Sequence, residues 1–113
     1  TSDPCYRLFV ETGIRTRKIK VDQAAWPDYV FDQQYRLPSL SEVEQFIKAH
    51  QHLQDIPSAA EVEQNGLDLG ENQALLLKKI EELTLYVIDL KKENESMIER
   101  QAKLEMEIRQ LRK

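Results

Sequence analysis

From Gln73 to Leu111 the sequence follows a seven-residue repeat, its mostly apolar positions alternately three and four residues apart. Written as heptads, the a positions are Gln73, Ile80, Val87, Asn94, Gln101 and Ile108, and the d positions are Leu76, Leu83, Leu90, Met97, Leu104 and Leu111. Nine of these twelve are apolar, and every d position is Leu or Met. A period of 3.5 residues keeps one seam turned toward a partner helix and implies a left-handed supercoil. No Gly or Pro interrupts Glu71 to Lys113, which makes a helix of roughly 65 Å at about 1.5 Å per residue. Off the seam stand charged residues such as Lys92, Glu95, Glu99 and Lys103. A single helix held by charge pairs would show those charges too, but it has no need of Leu at d through six heptads. The pattern predicts a parallel coiled coil, with these twelve residues as the oligomer interface.

Upstream the period changes. Tyr6–Val10 alternates as a half-buried strand does, Glu11-Thr12-Gly13 supplies a turn, and Ile14–Val21 is β-branched with Arg15, Arg17, Lys18 and Lys20 interleaved. Trp26-Pro27 breaks that run, and Tyr29-Val30-Phe31 reads as a short strand or anchor. Pro38-Ser39 opens a first helix, with Ser41-x-x-Glu44 or Ser39-x-x-Glu42 as its capping box and Leu40, Val43, Phe46 and Ile47 on one face. This helix should fade at Ala49–His52. Ser58-x-x-Glu61 starts a short second helix over Ala59 to Gln64, stopped by Asn65-Gly66. The expected fold class is α+β, with a small β/α globular part over 1–70 and the coiled-coil helix over 71–113. Leu75, Leu85 and Ile88 lie off the seam, so the start of the rod should pack against the globular part.

Composition sharpens this picture. All aromatic residues except Tyr86 precede Ser58, so an aromatic-bearing half leads into an aliphatic, charged one. A unit of 50–60 residues buries only a modest core and often needs association to hold it. A net charge of −4 gives no electrostatic case for nucleic acid, and no segment reads as a membrane span. Cys5 is the only cysteine, so a disulfide would have to join two subunits, and a thiol is expected. The chain opens on Thr1 without an initiator Met and is expected to be a piece of a longer polypeptide.

Candidate chemistry is sparse. His50 and His52 lie two apart and point to different sides of a helix, which suits a helix end better than a metal pair. Glu63, Asp68 and Glu71 flank Asn65-Gly66 without the alternating ligands of a calcium loop. The basic run from Arg15 to Lys20 divides between two strand faces and reads as a solvated edge. Trp26, Tyr29, Phe31 and Tyr35 are either a sugar-binding surface or the core of a small domain. No cofactor, metal or catalytic residue is expected, and the chain is expected not to be an enzyme.

Several segments together resemble a known module. Trp26-Pro-Asp-Tyr-Val-Phe-Asp32, Leu37-Pro-Ser-Leu-Ser-Glu-Val-Glu44, Asp55-Ile-Pro-Ser-Ala-Ala-Glu-Val62, Asn65-Gly66 and Lys79-Ile-Glu-Glu-Leu-Thr-Leu-Tyr86 resemble, in order, the C-terminal module of phage-tail-fibre-like surface proteins of the Bacteroidetes. Ile14–Val21 is similar to what leads into that module, and the heptads beyond Leu90 look like an extension. The module is itself similar to the intramolecular chaperone domain of phage endosialidases, which folds as a trimer and helps the fibre upstream to assemble. The resemblance implies an extracellular, cell-surface or virion-associated setting. Some relatives of that domain cut themselves off with a Ser–Lys pair. Here Ser2-Asp3 is present, but no Leu-Lys follows, Gln54 replaces a usual Pro, and Asn72-Gln73 replaces Met-Asn.

The expected function is therefore a C-terminal oligomerisation and folding module of a fibrous tail or surface protein. Its partners would be copies of itself and the upstream fibre. A glycan- or receptor-binding fibre tip and a self-cleaving chaperone peptidase are the alternatives. Ile or Val at a with Leu at d favours two strands, whereas Leu77 and Ile98 at e, Tyr86 at g and the resemblance favour three. A homotrimer is expected, with a homodimer as the alternative. Asn94 and Gln101, adjacent a positions, should fix its register.

Overall fold

The computed structural model describes residues 5–22 and 26–112. Three helices follow one another: α1 (Leu40–His50), α2 (Ala59–Asn65) and α3 (Leu69–Leu111). Local chemistry sets each boundary. At α1 the Ser39 side chain accepts from the Glu42 amide, so the upstream of the two possible capping registers is the one formed. Gln51, in the left-handed region at φ 62, ends the helix by donating its amide to the Ile47 carbonyl. Ser58 caps α2 through the Glu61 amide, and its hydroxyl also reaches the Glu61 carboxylate. Gly66 closes α2 at φ 77, a conformation that suits a residue without Cβ. Asp68 then caps α3 by accepting from the Glu71 amide at 2.9 Å, which starts the helix at Leu69, two residues before the expected Glu71.

The expected α+β class is overturned: among the described residues there is no β-strand. Tyr6–Val10 and Ile14–Val21 are irregular and exposed, and no backbone hydrogen bond joins them. Period-two alternation names the faces a strand would have, but a strand exists only when a second one pairs with it. Gly13 does not adopt positive φ, so the hairpin turn that would bring the two segments together is not made. Tyr29–Phe31 fails for a different reason. Asp32 accepts from the Gln34 amide at 2.9 Å, and the Asp32 and Tyr35 amides donate to Tyr29 and Asp32 carbonyls in two successive turns. An aspartate side chain that captures the amide two residues on coils the backbone away from a ladder.

The molecule is a rod with a short collar, 83 × 31 × 29 Å in extent. Its radius of gyration, 22.8 Å, exceeds the roughly 13 Å of a compact domain this long. Its accessible surface of 10,889 Å² compares with about 6,500 Å² for a compact monomer of this mass. The core is correspondingly small. Val30 is 1% exposed, and with Pro27, Gly70, Ala74 and Glu82 it completes the buried positions among the described residues.

The collar is folded back on the first turns of α3 by three polar ties. The Tyr86 hydroxyl donates to the Pro38 carbonyl just before α1. Lys78 pairs with Asp55 at 3.0 Å beyond the end of α1. Tyr35 donates to Glu82 at 2.7 Å. Because Pro38 is held at Tyr86 and Asp55 at Lys78, α1 travels toward the N-terminal end of α3, roughly antiparallel to it.

Candidate functional site

All twelve expected interface residues lie on α3, on one continuous stripe, and all twelve are exposed. The nine apolar ones range from 44% exposed at Leu76 to 86% at Leu111. Helical spacing explains the alignment: residues three and four apart stack on one face. Single exposed leucines are ordinary, but a contiguous apolar stripe some tens of ångströms long is not. Ile98, at e beside the seam, is 58% exposed and widens it. Tyr86, read as widening the g side, is instead half-buried against its own chain through Pro38.

The stripe has a second wall at its N-terminal end. Between α1 and α3 runs an open groove of about 380 Å³. On one side it is lined by Leu40, Val43, Phe46 and Ile47, and on the other by Leu76, Ile80 and Leu83. Besides Tyr86, whose hydroxyl is taken up by Pro38, its polar side chains are Gln54, Lys79 and Glu82, and the last two are already paired at 3.1 Å. Three seam residues are therefore also groove residues. Sequence periodicity showed the apolar faces of both helices, but it carried no signal that α1 would flank the g edge of the seam.

Glu82 is the one buried carboxylate among the described residues, 7% exposed, and it lies off the seam at c. Its two oxygens are used separately, one by the Tyr35 hydroxyl and one by the Lys79 ammonium. Burial, then the hydrogen bond to Glu82 and its charge, push the Tyr35 phenol above its ordinary range. Tyr86 is raised by burial and by nearby Glu82 and Glu42. The Lys78 hydrogen bond holds Asp55 below the usual carboxylate range, against partial burial. Burial works against the Lys78 charge, but the hydrogen bond and charge of Asp55 outweigh it and raise that group. These ties orient the collar on α3.

On the other side of α3 a groove of about 560 Å³ is bordered by Trp26, Tyr29, Asp68, Glu71 and Lys78. Trp26 and Tyr29 are about half exposed there, Tyr29 tilts against Tyr35 at 5.7 Å, and the Lys78 ammonium lies 5.9 Å from the Tyr29 ring centre. His50 lies tilted against Phe46 with ring centres 4.3 Å apart, and His52 meets it edge-on at 5.7 Å. Among the described residues no three His, Cys, Asp or Glu side chains gather as metal ligands, and no helix is long and apolar enough to cross a membrane. Ser2 and Asp3, the start of the self-cleavage motif, lie outside the described residues. No protein-family model, curated protein or solved structure matches this chain.

Proposed function

We propose that this chain is a non-enzymatic oligomerisation and folding module, self-associating in parallel through the α3 seam and holding an upstream fibrous surface or tail polypeptide in register. The observation that carries this reading is the seam itself: twelve exposed positions at a strict heptad spacing along a 43-residue helix. The chain exposes about 4,400 Å² more than a compact monomer of its mass, which is several times the roughly 800 Å² a partner commits to a standard interface. Asn94 and Gln101 supply the register. In a parallel assembly each meets its own copies, whereas a one-heptad slip places amides against Val87 or Ile108 and costs about 1–3 kcal/mol per unsatisfied group. The g-to-e′ pairs Arg100–Glu105 and Glu107–Arg112 favour the same parallel order, each contributing a few tenths of a kcal/mol.

The proposed stoichiometry is three. Apolar Leu77 and Ile98 at e give a contact wider than a two-stranded seam uses, and the resemblance to trimeric fibre chaperones points the same way. Folding is coupled to this step, because a helix with one bare half gains its stability from the partner. Light scattering and far-UV circular dichroism over a dilution series test both claims. The expected mass is three times the 13.3 kDa chain, with helicity falling as the assembly dissociates. Twice the chain mass would replace the trimer with a dimer, and full helicity in a monomer would overturn the reading.

A second reading draws on the Trp26–Tyr29 groove. Exposed aromatic faces beside carboxylates and an ammonium suit the flat apolar faces and hydroxyls of a sugar. A glycan-array screen of the assembled protein, with Trp26→Ala as its control, decides whether the module also acts as a receptor-binding tip.

A further inference from the structure

We infer that α1 is an intersubunit clasp: the groove between α1 and α3 receives the e edge of α3 from a second copy, centred on that copy's Leu77. This inference rests on the proposed self-association and adds where the collar goes when it happens. Leu76, Ile80 and Leu83 are at once seam residues and one wall of the groove. A second helix docking on them in parallel therefore enters the groove and meets the other wall.

The edge on which α1 lies selects what it meets. Lys79 and Tyr86, both at g, face α1. In a parallel coiled coil the g edge of one helix adjoins the e edge of its neighbour. The e positions in these heptads are Leu77 and Thr84, apolar and neutral, whereas further along all but Ile98 (Lys91, Glu105 and Arg112) carry charge. An apolar e residue sits at the level of the rod where α1 presents an apolar face. The groove also lacks an uncompensated charge, since Lys79 and Glu82 neutralise each other within one chain. An apolar helix edge suits it better than a charged ligand.

The antiparallel run of α1 gives the register. Its start is held at Tyr86 through Pro38 and the chain beyond its end at Lys78 through Asp55, so Leu40 falls toward the Tyr86 end of the groove and Ile47 toward the Leu76 end. Ile47 of one copy is thus placed beside Leu77 of the next. Within one chain the two cannot meet in the same way, because Leu77 lies on the e edge and α1 flanks the g edge.

Two measurements test the clasp on the full chain. In a Cys5→Ser background, chains carrying Ile47→Cys are mixed and refolded with longer-tagged chains carrying Leu77→Cys, then treated with a short bis-maleimide. The clasp predicts a product joining one short and one long chain, absent when Leu77→Cys is replaced by Glu99→Cys at an f position. Separately, Ile47→Glu, at a position 40% exposed in one chain, should raise the dissociation constant of the assembly at least tenfold while α1 stays helical. An assembly that forms normally, gives no mixed product and dissociates unchanged with Ile47→Glu would overturn the clasp and leave the seam standing. A parent chain that does not assemble at all would overturn the self-association reading and the clasp with it.

Discussion

The two halves of α3 belong to one unbroken helix and are stabilised by different means. Over residues 69–90 the helix has Gly70, Ala74 and Glu82 buried, with Leu75, Leu77, Lys78, Lys79 and Tyr86 partly covered. Over residues 91–112 every residue is exposed. The first half takes its support from segments of its own chain, through Tyr35, Pro38 and Asp55. The second half has only its backbone ladder, short-range charge pairs such as Lys91–Glu95 at 3.8 Å, and a stripe of Met97, Leu104, Ile108 and Leu111. Helices in proteins take most of their stability from packing an apolar face rather than from propensity, and an exposed pair at that distance contributes little. The distal half is therefore the part that the proposed self-association would have to support, whereas the proximal half already has cover from its own chain.

The largest expected effect comes from breaking the distal half alone. Met97→Lys with Leu104→Lys places like charges in adjacent d layers and removes two apolar contacts per chain, each worth about 2–5 kcal/mol once buried. Light scattering should then give the single-chain mass, and circular dichroism should lose helix equivalent to about twenty residues, leaving the collar-supported turns. Retention of the assembly would show that the proximal half suffices for it.

A smaller effect should follow from loosening the proximal half. Glu82→Ala leaves the half-buried Tyr35 hydroxyl without its acceptor and Lys79 without its partner, at a cost of about 1–3 kcal/mol. The expected outcome is a collar that melts earlier, read from Tyr fluorescence and amide exchange around Tyr35, with the assembled mass unchanged. Loss of the assembly instead would mean that the two halves are not separately supported.

The smallest effect is on pH. Asp55 is depressed in the folded chain, so its contribution is present above its ordinary range and is lost as pH falls through the lower folded value. Lys78 is raised, so its contribution is present through neutral pH and is lost only at strongly alkaline values. Because Asp55 is nearly half exposed, the pair contributes only a few tenths of a kcal/mol. Acidification below about pH 4 should slightly speed exchange of the amides around Asp55, and Lys78→Met should abolish that change. An equal acid response in Lys78→Met would assign it to other carboxylates.

What the sequence determined by itself was everything set by neighbours a few residues away. Ser39, Ser58 and Asp68 cap helices because each has an amide two or three residues on within side-chain reach. Gln73 to Leu111 align on one face because helical geometry aligns them, whatever the rest of the chain does. Tertiary structure decided the rest, because the deciding partners are remote in sequence. Alternation in Tyr6–Val10 and Ile14–Val21 described a possible strand, yet pairing is a relation between two segments, and no backbone hydrogen bond joins these. Tyr35 and Glu82 are 47 positions apart, and neither residue type announces the other. The same distance hid the place of α1: its apolar face was visible in Leu40, Val43, Phe46 and Ile47, but the Tyr86–Pro38 tie that sets it along the g edge is a long-range contact. Periodicity shows that a face wants to be covered, and only the folded chain shows what lies beside it.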